Sequence, residues 1–313
     1  MRFFDLHCDT LYEMVTKNTE IYKNNLHVSV EKSEKYNPYI GCFAVWIPDS
    51  LRNEEAFNFF KKCYNTLVSQ EKLYKNKFKI CKSSQDLNLT LDSGKSGIIL
   101  TVEGSSAIGG NLSNIEYLSR CGVKMMTMTW NGLCEAGSGA ECEKNIGLTN
   151  FGKKIVHLMN KYGIIADVSH AGEKLFYDVL EVSEKPIVAS HSNSRKICNH
   201  KRNISDSQFK CIKETGGLVG ITFCKKFLNS SGNEEIEDIF SHVEHFLSLG
   251  GENTLAFGSD FDGAEMPRGI NGLESIENIC EYFLVKNYKE DLLDKIFFSN
   301  AYHFMNSFFQ KGE

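Results

Sequence analysis

A few short stretches of the 313-residue sequence carry side chains able to ligate a divalent metal: His7-Cys8-Asp9, Glu103, Ser169-His170, Ser190-His191 and Ser259-Asp260-Phe261-Asp262. Two residues apart on a strand, His7 and Asp9 face the same way, and Cys8 faces the other. That pair offers one imidazole and one carboxylate. Glu103, His170 and His191 fall at corresponding heights in later stretches, and leaving so many such groups buried and uncompensated would be costly. Imidazole with carboxylate suits zinc, manganese, iron or cobalt being admissible. A single catalytic zinc keeps three protein ligands and an open position, so this set is too large for one ion. It is about right for two ions sharing one carboxylate, and Glu103 is the natural bridge. Two such ions can hold a hydroxide at neutral pH and polarise a carbonyl.

Asp260 has three roles open at this point: ligand, general acid/base, or helix cap. Asp260 and Asp262 share one face if their strand continues. Arg202 is either a surface arginine or a clamp for a substrate carboxylate, a task suited to the guanidinium fork. Cys8 reads as a buried thiol. His242 and His245 read as packing or solvent-facing, and His27, His157, His200 and His303 as non-ligands.

The elements that must position these groups alternate along the chain. Short apolar, β-branched runs occur at Arg2–Leu6, Tyr39–Ile47, Ser96–Val102, Val123–Thr129, Ile164–Val168, Pro186–Ala189, Gly217–Thr222 and Thr254–Gly258. Helical periodicity lies between them, at Asn150–Tyr162, Glu173–Val182 and Glu235–Leu249 among others. Alternating strands and helices imply βαβ units and a parallel sheet, and eight strands are what a closed (β/α)8 TIM barrel requires. The metal-competent residues follow strand ends, where barrel active sites form. The fourth run ends in Trp130-Asn131, whereas the second and seventh end near Trp46 and Phe223 with no evident ligand. With no internal repeat or linker, residues 1–313 read as one barrel domain.

The stretches DLHCDTL, TVEG, MTMTWN, DVSH, ASHSNSR, KRNISD and AFGSDFDG, running in order from residue 5 to residue 263, resemble the membrane (renal) dipeptidase family of zinc metallopeptidases. That family is built on a (β/α)8 barrel of the metal-dependent hydrolase type. The resemblance implies two zinc ions, one held by His7, Asp9 and Glu103, the other by Glu103, His170 and His191. It implies Asp260 and Glu103 as catalytic groups, with Asp260 the acid/base that protonates the leaving amine, and Arg202 as the contact to a substrate's C-terminal carboxylate. Trp130 and Asn131 are read as substrate-binding. Trp130 is a departure, because the mammalian-type members have histidine there, and its indole N–H can donate but not act as a base. The expected reaction is hydrolysis of dipeptides, including those with a C-terminal D-residue, by a metal-bridging hydroxide. The alternative is a barrel amidohydrolase acting on N-acyl amino acids or lactones. A homodimer is compatible with the resemblance.

Composition agrees with an ordinary globular enzyme: 42% hydrophobic, 24% charged, net charge −5 and no basic block, which argues against nucleic acid and anionic membranes as partners. The start, MRFFDLHCDTL, has no apolar signal region, and no run is long enough to span a bilayer, so a cytoplasmic protein is expected. The 11 cysteines, scattered without CxxC spacing, read as reduced thiols.

Overall fold

The structure, a computed structural model, describes residues 1–310. Its strands are β1 (Phe3–Cys8), β2 (Tyr39–Trp46), β3 (Phe78–Ile80), β4 (Ser96–Glu103), β5 (Val123–Thr127), β6 (Ile165–Asp167), β7 (Val188–Ala189), β8 (Leu218–Ile221) and β9 (Leu255–Phe257). They run in the order β2-β1-β9-β8-β7-β6-β5-β4, and β2 pairs again with β4, so eight parallel strands close into a barrel. All eight runs expected from the sequence are present. The extra strand is β3, which holds the edge of β4 at Ser96–Ile98 before β5 takes over from Leu100. Three residues are too few to register as a period.

Continuous apolarity in the strands is explained by burial on both faces. Phe4, Ile40, Ile99, Met125, Ile165, Val188, Leu218 and Ala256, one from each barrel strand, fill the interior. Phe3, Val45, Val102, Met126, Val219 and Phe257 pack outward under the helices. The period of two then carries the inward face of β4 from Ile99 through Thr101 to Glu103, at the C-terminal mouth. In β1 a register shift between Asp5 and Cys8 interrupts the alternation. Cys8 joins the outer layer, donating to the Cys42 carbonyl at 3.6 Å.

The helices Asn150–Tyr162 and Glu173–Val182 have the expected bounds. The third runs Ile236–Ser248, with Glu235 and Asp238 forming a reciprocal capping box at its start. The last helix, Asn300–Gln310, closes the barrel bottom with Tyr302, Met305, Phe308 and Phe309. Lys124 lies over the Phe309 ring at that end, far from the mouth. Among the described residues no helix is long and apolar enough to cross a membrane.

Candidate metal centre

The barrel mouth gathers His7 and Asp9 from β1, Glu103 from β4, His170 after β6, His191 after β7 and Asp260 after β9, all but fully buried. The Glu103 carboxylate divides between two groups of imidazoles. Its Oε1 lies 2.6 Å from His170 Nε2 and 3.6 Å from His191 Nε2, and its Oε2 lies 3.7 Å from His7 Nε2. His7 Nε2 is also 3.4 Å from Asp9 Oδ2 and 3.9 Å from Asp260 Oδ1. Two triads that could hold an ion thus share Glu103: His7, Asp9, Glu103 and Glu103, His170, His191.

The outer nitrogens of two imidazoles fix what the inner ones present. His170 Nδ1 meets the carbonyl oxygen of Asn131 at 2.8 Å, an acceptor only, so Nδ1 carries the proton and Nε2 a lone pair. His191 Nδ1 meets Ser190 Oγ at 2.8 Å, and that hydroxyl donates onward to Asp167 Oδ2 at 2.6 Å. His191 Nε2 is therefore also unprotonated. The two Nε2 atoms stand 2.9 Å apart with lone pairs facing each other, an arrangement that calls for a cation between them. His7 Nε2 and Asp9 Oδ1 have no hydrogen-bond partner among the described residues. The donor set, three imidazoles and carboxylates with orphaned buried atoms, fits divalent metal.

The electrostatics agree. Burial alone would push His7 down, but the carboxylates of Asp9, Glu103 and Asp260 overcome it and hold the imidazole at about 10. Burial drives the Glu103 carboxyl well above its usual range, with Asp9 adding to the effect. Burial holds His170 and His191 well below the ordinary histidine value. Asp260 is pushed up to about 6 by burial, against the opposing charges of His7 and Arg202.

Buried scaffolding orients the ligands. Asp167 accepts from Ser169 N and Oγ, Ser190 N and Oγ, and Thr127 Oγ1, all at 2.6–3.0 Å. Asp5, raised to about 7 by burial, plays the same part on β1, accepting from His7 N at 3.2 Å, Ser259 N at 2.8 Å and Ser259 Oγ at 2.5 Å. Sequence reasoning passed over both. The signal was their spacing, each standing two residues before a strand-end polar residue. Gly263 is required for close approach, since a Cβ there would lie 2.0 Å from Asp9 Oδ2 and 2.8 Å from Asp260 Oδ1.

β9 stops at Phe257, and Asp260 and Asp262 both adopt left-handed backbone, so the shared strand face does not form. Asp262 turns instead to Thr10 Oγ1 and the His27 backbone N–H, both at 2.6 Å. His242 is buried, accepting from Ser194 N and donating to the Leu228 carbonyl, and His245 pairs with Asp206 at 2.7 Å. Arg202 is not a surface residue. It is 2% exposed, lies over the Phe227 ring, and none of its three guanidinium nitrogens has a partner among the described residues.

A cleft of about 610 Å³ opens above the centre, lined by Asp9, Glu103, His170 and Asp260 and by Tyr12, Trp46, Trp130 and Phe227. The larger cavity, about 880 Å³, sits at the opposite end beside the last helix and holds none of the metal-competent groups. Trp46 was missed in sequence. Its ring centroid lies 5.0 Å from that of Trp130 and 4.7 Å from that of Tyr12.

Residues 1–310 match the family model of membrane dipeptidases, peptidase family M19. The chain belongs to this family. It is a metallo-dipeptidase, a peptide hydrolase acting on small peptides. A metallopeptidase structure from Rhodobacter sphaeroides, liganded with a phosphinate mimic of the dipeptide L-Ala-D-Ala, is similar at TM-score 0.91 and 25% identity, over 97% of this chain and 98% of that one. A dipeptidase structure of family M19 is similar at TM-score 0.92 and 26% identity, covering 100% and 99%. An uncharacterised protein in the pqqA 5′ region of Klebsiella pneumoniae is 26% identical over 245 residues, 75% of this chain and 90% of that one. The M19 barrel is thus the scaffold on which the mouth described above is built.

Proposed function

We propose that this metallo-dipeptidase is a binuclear zinc enzyme. His7, Asp9 and Glu103 would hold one ion, and Glu103, His170 and His191 the other. The observation that carries this reading is the Glu103 carboxylate, whose two oxygens are divided between His7 and the His170–His191 pair. Bound ions would supply Lewis acidity at the substrate carbonyl and lower the pKa of water in the cleft.

The chain's own residues do the rest. Asp260, within 3.9 Å of His7 and beside Asp9 where Gly263 leaves room for both carboxylates, takes the proton of the attacking water at its carboxylate and returns it to the departing amine. Arg202 waits desolvated and unpaired, so a substrate's C-terminal carboxylate completes a charge-assisted pair there. That anchor sets the reach from carboxylate to scissile bond and so favours dipeptides over longer chains. Asn131 orients His170, and Trp130 borders the cleft beside it with ring centroids 6.3 Å apart. Dipeptides with a C-terminal D-residue belong to the proposed range, in keeping with the L-Ala-D-Ala mimic bound by the R. sphaeroides protein.

The test is metal content and dipeptidase activity on one purified sample, with L-L and L-D dipeptides, with and without zinc. About two metals per chain and zinc-dependent cleavage are expected. In Asp260→Asn, turnover should fall by roughly 10²–10⁴ with metal content unchanged. One metal per chain would refute the bridging role of Glu103. Cleavage of N-acyl amino acids or lactones but of no dipeptide would move the substrate class.

A further inference from the structure

The order of strands around the barrel fixes which way a dipeptide must lie. Arg202 follows β7, and Phe227, over whose ring it lies, follows β8. The aromatic wall lies across the mouth: Tyr12 follows β1, Trp46 ends β2 and Trp130 follows β5. In the closed order β4 stands between β2 and β5 and is diametrically opposite β8. The metal-competent groups lie between the two sides. With the C-terminal carboxylate on Arg202 and the scissile carbonyl over the centre, the N-terminal residue is directed at the wall.

The three rings form a continuous surface, Tyr12 meeting Trp46 at 65° and Trp46 meeting Trp130 at 59°. All three are only half-buried and line the cleft, so they leave apolar area facing the bound substrate. An apolar side chain seated there would be removed from water on both sides. We propose that this wall is the subsite for the N-terminal side chain and that it selects dipeptides beginning with a large apolar residue, such as leucine or phenylalanine, over glycine. This rests on the dipeptidase reading and on Arg202 as the anchor.

The chain has two tryptophans, and both are in the wall. Tryptophan emission of the metal-loaded protein therefore reports occupancy without chemistry. The experiment measures kcat/KM for Leu-Ala, Gly-Ala and Lys-Ala, and emission on titration with the reduced-bond analogues of Leu-Ala and Gly-Ala. Leu-Ala should exceed Gly-Ala by at least about tenfold, the lower end of what burying such a side chain provides. Its analogue should shift the emission at concentrations where the Gly-Ala analogue does not. Trp46→Ala and Trp130→Ala should each lower the Leu-Ala to Gly-Ala ratio severalfold, and Trp46→Phe should keep most of it. A wild-type ratio near one, or a ratio unmoved in both alanine variants, overturns the proposal, and so does a preference for Lys-Ala, which would assign selection to Glu141 and Glu265, exposed carboxylates that line the same cleft. Should a tryptophan variant fail to fold, the wild-type ratio and emission decide. Cleavage of no dipeptide would instead overturn the dipeptidase reading beneath it.

Discussion

The His191 imidazole and the Asp167 carboxylate are joined through a single hydroxyl: Ser190 Oγ stands 2.8 Å from His191 Nδ1 and 2.6 Å from Asp167 Oδ2. Metal-binding histidines commonly lean directly on a carboxylate. Here a serine is interposed, and it passes the carboxylate's pull to the ring while fixing its tautomer. With two ions bound as proposed, Ser190→Ala should weaken one of them by about 10–100-fold and leave the other tight. Ser190→Thr should restore most of the loss. Titration of metal-free protein with zinc or cobalt, resolving two steps, reads this directly. Equal affinity in wild type and Ser190→Ala would show that the hydroxyl is only packing.

Metal uptake should release protons. In metal-free protein His7 is charged below a pKa of about 10. It must lose that proton to ligate. About one proton per chain should therefore be released from His7 at pH 7, and affinity should fall as pH falls. Calorimetry of zinc binding in buffers of different ionisation enthalpy counts them. No release would mean that the metal binds elsewhere.

Arg202 should trade stability for function. The guanidinium is buried without a hydrogen-bond partner among the described residues, and the charges of Asp260 and Glu103 offset its desolvation only in part. Arg202→Met, close in volume and uncharged, should raise the melting temperature by about 2–4 °C for each kcal/mol relieved. It should also lower kcat/KM for free dipeptides by about a hundredfold or more. The advantage of Leu-Ala over its C-terminal amide should vanish with it. A variant that still prefers the free acid would remove Arg202 as anchor.

His242 should set part of the acid limb of stability. Burial lowers it to about 4, and the neutral ring accepts from Ser194 N at 3.1 Å and donates to Leu228 O at 2.9 Å. The unfolded chain takes up this proton near 6.5, the folded one only near 4. Stability is therefore full above pH 6.5 and declines as pH falls from there to about 4, by about 3 kcal/mol in all. Urea unfolding of wild type and His242→Gln across that range should give curves of different slope. Parallel curves would contradict the assignment.

Much of the centre was legible because strand ends in a parallel barrel are local features. His7, Asp9, Glu103, His170 and His191 each stand where an apolar run stops, and a period of two turns His7 and Asp9 the same way. What was not legible depends on neighbours distant in sequence. Ser190 acquires its role only when β6 and β7 pair, Asp5 only when Ser259 arrives beside it, and Arg202 meets its ring partner only when Phe227, from beyond β8, comes to lie against it. The separation of Asp260 from Asp262 turns on two left-handed residues that no periodicity reports. Trp46 looked like an ordinary strand residue until Trp130, from another strand, came to lie against it.

The seam of the barrel and the centre are built from the same residues. Ser259 bonds to Asp5, Asp260 N donates to His7 O at 3.0 Å, and Asp9 N donates to Phe261 O at 2.8 Å. The opening residues of the chain wait for partners some 250 positions later. A ribosome must therefore deliver about five-sixths of the polypeptide before His7 and Asp9 can be set in place. A nascent or prematurely terminated chain has His7 and Asp9 but no cage to hold them. The seam around His7 and Asp9 can close only in chains that have reached Ser259–Phe261.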